Sequence, residues 1–197
     1  MAEVAEPAAS AQVRQFTAWV MDSHDNGARP YVVVDKRHAR VFVFDADGHL
    51  RGADVALLGM ARGDGSASGI GKRKLSGIGP RERTTPAGRF VANLDRDAHG
   101  GEILLIDYAD AIALHPVVKG TPEEHRTERL ASPTVEDNRI SYGCINVPAE
   151  FYRTIVSPAF ANTDGLVYIL PEIRTMTDVF GSYDVQDPAG KPTPPRH

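Results

Sequence analysis

Short apolar runs separated by turns, and not by helices, constrain the fold of this chain most. YVVVD at 31–35 and RVFVF at 40–44 read as two strands rich in β-branched and aromatic residues, the second closing on DADG at 45–48. Alternation puts Val41 and Val43 on one face of the second strand and Phe42 and Phe44 on the other, so both faces need cover. DVALLG (54–59), RFVANL (89–94), EILLIDY (102–108), AIALH (111–115) and LVYIL (166–170) continue the pattern. Helical spacing is confined to three places. Val13, Phe16 and Val20, with Trp19 alongside, mark residues 11–24. A capping box, Thr121-Pro122-Glu123-Glu124, opens a short charged helix near 122–130, and another helix is expected near 148–156. Strands outnumber helices without the regular alternation of a parallel α/β sheet, which predicts a mostly β (β-rich α+β) fold.

At 197 residues the chain suits one domain with short appendages. The expected division is a helical appendage over 1–28, a main domain over 29–183, and a disordered, proline-bearing tail over 184–197. A net charge of −4 argues against a nucleic-acid partner. No apolar run approaches the ~20 residues of a membrane-spanning helix. The opening MAEVAEPAAS, with Glu3 and Glu6, lacks the basic start and apolar run of a secretory signal, so a cytosolic protein or a mature exported form is expected. Nothing in the sequence specifies an oligomeric state.

Residues 60–84 carry six glycines and six Lys or Arg, which invites a phosphate-binding reading. Gly71-Lys72 is followed by Arg73 where a P-loop needs Ser or Thr, and the Gly69-x-Gly71 pair has no third glycine behind it. A flexible basic loop, near an acidic substrate, is the expectation. The seven histidines include no pair at metal-ligand spacing, and His24, His38 and His49 fall at predicted turns on the surface. Neither a metal nor a cofactor is expected.

The single cysteine stands in RISYGCINVP at 139–148. A lone cysteine often serves as a small buried hydrophobe. Here Gly143 permits close backbone approach, and the helix expected to follow would point its positive dipole end at the loop and favour thiolate. Downstream of Cys144 the only histidine is His197 in the tail, so the Cys-then-His order of papain-like proteases is excluded. Upstream, His115 ends the AIALH strand, where a base would be held rigidly at a site rim; a hydrogen-bonded histidine at a sheet edge is the other reading. His125, on the charged helix, is expected to face solvent.

His115 followed by Ser141-Tyr142-Gly143-Cys144-Ile145-Asn146, with Thr85-Pro86-Ala87-Gly88-Arg89-Phe90 upstream, resembles the catalytic domain of the L,D-transpeptidase (YkuD-type) family. The resemblance runs from about Tyr31 to about Leu170 and implies a β-sandwich or barrel with a few short helices. Two departures stand out: Tyr142 occupies the place of a second histidine, and the interval from His115 to Ser141 is long. What the resemblance implies is a cysteine acyltransferase acting on peptidoglycan stem peptides in the periplasm or cell envelope. His115 would deprotonate Cys144, with the N–H groups of Gly143 and Cys144 as oxyanion donors. Ser141 and Tyr142 would orient His115 or line the pocket. Arg139 would bind a substrate carboxylate, or else pair with Glu136 or Asp137. Asn146 would contact substrate or, the favoured reading, cap the following helix, where Val147, Phe151 and Ile155 recur. A carboxypeptidase with the same nucleophile and a non-catalytic wall-binding module are the rival readings.

Overall fold

The computed structural model describes residues 9–187. YVVVD and RVFVF form β1 (Tyr31–Asp35) and β2 (Arg40–Phe44), paired antiparallel with Tyr31 opposite Phe44 and Asp35 opposite Arg40. The expected division of faces is present. Val32, Val34, Val41 and Val43 enter one buried cluster, while Tyr31, Val33, Phe42 and Phe44 enter a second on the other side. The run at 54–59 divides in two, β3 (Leu50–Val55) pairing with β2 and β4 (Leu58–Gly59) leaving the sheet.

Four further strands extend the sheet: β5 (Gly88–Arg96), β6 (Glu102–Asp107), β7 (Ile112–Pro116) and β9 (Ile145–Val147). β10 (Gly165–Ile169) joins the two halves, parallel to β1 and antiparallel to β5. The order is β3-β2-β1-β10-β5-β6-β7-β9. Leu57, two residues beyond β3, donates to the Asn146 carbonyl (2.8 Å) and accepts from the Asn146 N–H (2.9 Å) in β9. The two ends of the sheet are thereby drawn together into a nearly closed, barrel-like arrangement. β4 continues the seam by pairing parallel with β8 (Arg139–Ser141).

Helices are short and cover the sheet. α1 (Ala11–Ser23) is capped by Ser10, whose Oγ accepts the Val13 N–H at 3.2 Å. Its Val13, Phe16, Trp19 and Val20 are buried with Tyr31, Phe42, Leu166 and Tyr168 in the second cluster. The other cluster is covered by residues 149–160, where α3 (Ala149–Phe151), a π-helical stretch (Tyr152–Val156) and α4 (Ser157–Phe160) run on from one another. The helix expected near 122–130 is broken. Pro122–Glu124 is a 3₁₀ turn, His125 adopts a left-handed backbone, and α2 (Arg126–Ala131) starts after it. α5 (Met176–Phe180) completes the helices. Of the predicted tail, residues 184–187 form a turn closed by the Asp187 N–H on the Asp184 carbonyl (3.1 Å), and 188–197 lie outside the described residues.

Candidate active site

β7 sets the base. Ile112 and Leu114 point into the core, so alternation turns Ala113 and His115 to the opposite face. Both line a cavity of about 840 Å³ that also reaches Cys144. His115 Nδ1 lies 2.8 Å from the carbonyl of Pro116. A carbonyl only accepts, so Nδ1 carries the proton and Nε2 holds the lone pair. Burial lowers the imidazole pKa and the Arg126 charge lowers it further, against the Pro116 carbonyl and Asp97, which pull it up.

The turn before β9 positions Cys144. Gly143 adopts φ 137°, and a Cβ there would stand 2.9 Å from both Ile112 Cδ1 and the Thr84 carbonyl, so glycine is required. Thr85 Oγ1 donates to the Gly143 carbonyl (2.8 Å) and accepts from the Gly59 N–H (2.9 Å). Ser141 Oγ donates to the Cys144 carbonyl (2.6 Å) and accepts the Gly143 N–H (3.1 Å). Asn146 Nδ2 donates to the same Cys144 carbonyl at 3.3 Å. These bonds hold the main chain and leave the thiol at the cavity. Cys144 is half-buried and belongs to no buried apolar cluster among the described residues; its Sγ contacts the Ala111 carbonyl at 3.5 Å.

Strand register brings Cys144 and His115 to one face. β7 and β9 run parallel with Leu114 beside Ile145 and His115 beside Asn146, so Ala113 neighbours Cys144 one step back. Cys144, in the turn just before β9, and His115 on β7 therefore sit diagonally on one face. Burial pushes the Cys144 thiol up, against the Ala113 N–H and the Arg126 charge, which favour thiolate. This corrects the expectation of a helix dipole behind the sulfur: β9 follows Cys144, and helical backbone begins only at Ala149.

The cavity floor is the outward face of β5, β6 and β7. Ile103 and Leu105 of β6 give it an apolar surface, Asp95 and Asp97 bound it on one side, and Lys72 lies on another wall. Lys72 belongs to residues 70–82, which fold into three 3₁₀ turns pinned by the Arg73–Glu82 pair (2.7 Å) where a flexible loop was expected.

The remaining predicted residues take other places. Arg139 is buried; its Nη2 meets Glu172 (2.8 Å) and the Lys36 carbonyl (2.8 Å), so its side chain pairs with neither the Glu136 nor the Asp137 carboxylate and does not line the cavity. Lys36 in turn meets Asp64 at 2.9 Å, and this buried network ties the 60s loop to the end of β1. Asn146 is a buried strand residue and caps no helix. Ser141 braces the turn and does not hydrogen-bond to His115. Tyr142 lies under the Arg83 guanidinium, 3.9 Å from its ring centroid. Sequence reasoning missed Arg126. It is only 8% exposed, donates to Asn146 Oδ1 at 3.0 Å, and its charge acts on both Cys144 and His115. RTERL reads locally as a solvated helix face, and no local signal marks its first residue.

Metal-ligating side chains gather elsewhere. Asp45, Asp47 and His49 stand together at the β2–β3 turn, where Asp45 Oδ1 accepts the N–H groups of Asp47 (3.1 Å) and His49 (2.9 Å). These bonds are those of a tight turn.

No protein-family model matches the chain, and no curated protein matches it. Solved structures resemble it, among them the following two. The L,D-transpeptidase from Xylanimonas cellulosilytica DSM 15894 superposes with a TM-score of 0.44 at 15% identity, over 72% of this chain and 60% of that one. LD transpeptidase LdtMt1 in complex with imipenem gives 0.40 at 15% identity, over 72% and 58%. Both neighbours are L,D-transpeptidases. The chain thus spans about three-fifths of the length of these neighbours. A superposition this loose assigns no residue a role, and the chemistry is argued from the side chains alone.

Proposed function

We propose that the chain is a cysteine acyltransferase of the L,D-transpeptidase type, acting on peptidoglycan stem peptides at the cell envelope. The observation that carries this reading is the juxtaposition on one sheet face. A thiol unused in packing opens onto the same cavity as a histidine whose Nε2 is left basic by its Nδ1 bond.

In the first step His115 Nε2 takes the thiol proton as Sγ bonds to the carbonyl carbon of the donor peptide. The resulting oxyanion is met by the Cys144 N–H; the Gly143 N–H, expected to share this role, is already held by Ser141 Oγ. One well-aimed donor contributes about 3 kcal/mol in such a transition state. The C–N bond to the terminal D-residue then breaks, His115 returns the proton to the leaving amine, and a thioester remains. An incoming amine attacks the thioester and loses its proton to His115; Sγ departs as thiolate and regains that proton. The largely apolar cavity of about 840 Å³ suits a peptide-sized donor. Among the described residues no helix is long and apolar enough to cross a membrane.

Intact mass after incubation with a stem tetrapeptide tests the proposal. The expected result is a thioester adduct on the wild type, lost in Cys144→Ala. Folded wild-type protein that forms no adduct would refute the acyltransferase reading.

A further inference from the structure

The long interval between His115 and Ser141 places a buried arginine against the site, and the sequence motif contains nothing in its place. We propose that Arg126 is a positioning residue for the nucleophile: its guanidinium orients Asn146 against the Cys144 main chain and sets a fixed positive charge at the Cys144–His115 pair. The inference rests on the acyl-transfer reading of that pair.

The geometry is a relay of three residues. Arg126 Nη1 donates to Asn146 Oδ1 at 3.0 Å, in a buried bond. With Oδ1 occupied, the amide must turn Nδ2 the other way, where it donates to the Cys144 carbonyl at 3.3 Å. The other edge of the guanidinium is held by Glu124, from Nε to Oε2 at 2.9 Å and from Nη2 to Oε1 at 3.3 Å. A planar fork can serve both partners at once, which a lysine cannot. The surrounding chain is shaped to this pair. Gly120 adopts φ 62°, and a Cβ there would collide with the Glu124 carboxylate and come within 2.7 Å of Arg126 Nε. α2 is anchored by Leu130, packed with Leu57 and Ile140, and by Arg129 Nε on the Glu124 carbonyl (2.9 Å).

The charges facing the pair come from several elements. Arg126 acts on the thiol and on the imidazole; Asp97, from the β5–β6 turn, opposes it at His115. Glu124 balances Arg126 and is itself acted on by Arg83, and Lys72 lines the same cavity. A fixed cation favours thiolate and disfavours imidazolium, so its removal raises both ionisations together. A brace that only held Asn146 in place would change reaction rates without moving both midpoints upward.

Cys144 is the only cysteine, so iodoacetamide alkylation followed by intact mass against pH reports its ionisation directly, and an NMR titration reports that of His115. In Arg126→Gln both midpoints are expected to rise, each by on the order of one pH unit. Arg126→Lys keeps the charge and should restore them toward wild type. Should Arg126→Gln fail to fold, Glu124→Gln frees the cation at a more exposed position, and both midpoints should fall. Unmoved midpoints in folded Arg126→Gln, or in Glu124→Gln, would overturn the proposal. Failure of the acyl-transfer reading would appear separately, as wild-type protein that alkylates normally and forms no thioester with a stem tetrapeptide.

Discussion

The surroundings of Cys144 and His115 favour the neutral form of each. Burial raises the thiol and lowers the imidazole, so both shifts work against a preformed thiolate–imidazolium ion pair. In the proposed reaction His115 acts as a neutral general base, and its lowered pKa keeps it unprotonated at lower pH than an ordinary histidine. The sign follows: activity is present above the His115 pKa and is lost as pH falls through it. For kcat/KM with a stem tetrapeptide, the acid limb is expected to have its midpoint below the ordinary ~6.5 of histidine. A midpoint at or above that value would show the base to be unshifted or to be another group. Neither shift was legible in the sequence, because desolvation depends on what packs around a group. The one electrostatic expectation made locally, a helix dipole behind Cys144, is replaced by a strand.

At the scale of elements, the site is a junction held by polar side chains from distant segments. Thr85 is the clearest case. Its hydroxyl bridges the Gly143 carbonyl and the Gly59 N–H, joining the nucleophile turn to β4, and its own carbonyl accepts from Lys36 Nζ at 2.9 Å. Thr85→Val keeps the shape and removes the bridge, leaving two buried backbone groups without a partner. It should destabilise the protein by about 1–3 kcal/mol and slow Cys144 acylation, as urea unfolding and single-turnover kinetics would show. A variant as stable and as fast as wild type would mean that Thr85 merely fills space. The Thr-Pro-x-Gly resemblance singled out this residue from sequence, but its hydrogen-bond partners, 58 and 26 positions away, are visible only in the fold. Asn146 went the other way. Its place before a helix suggested a cap, whereas pairing with Leu57 and β7 makes it a strand residue.

For the whole molecule, the sheet has apolar cover on both sides, and α1 supplies it on one of them. Phe16 lies 5.1 Å from Tyr168 and 4.7 Å from Phe180 between ring centroids, inside a cluster that also holds Trp19 and Tyr31. Phe16→Ala should therefore cost about 3–5 kcal/mol in equilibrium urea unfolding, the range for deleting a core aromatic ring. A loss below ~1 kcal/mol, the scale of surface substitutions, would support the division that makes residues 1–28 an appendage.

By itself the sequence determined the strands and the sides they present, because alternation of Val41 and Val43 with Phe42 and Phe44 is a local property of extended chain. It also marked Cys144 and His115, since a glycine turn and a strand end are written in neighbouring residues. Tertiary structure alone decided what surrounds them. The closure of the sheet through Leu57 and Asn146, the withdrawal of Arg139 into a pair with Glu172, and the bond of Arg126 to Asn146 all join residues far apart in the chain. A lone arginine in a charged run reads the same whether it ends in water or under a loop. Only the packing of α2 on Leu57 and Ile140 settles which.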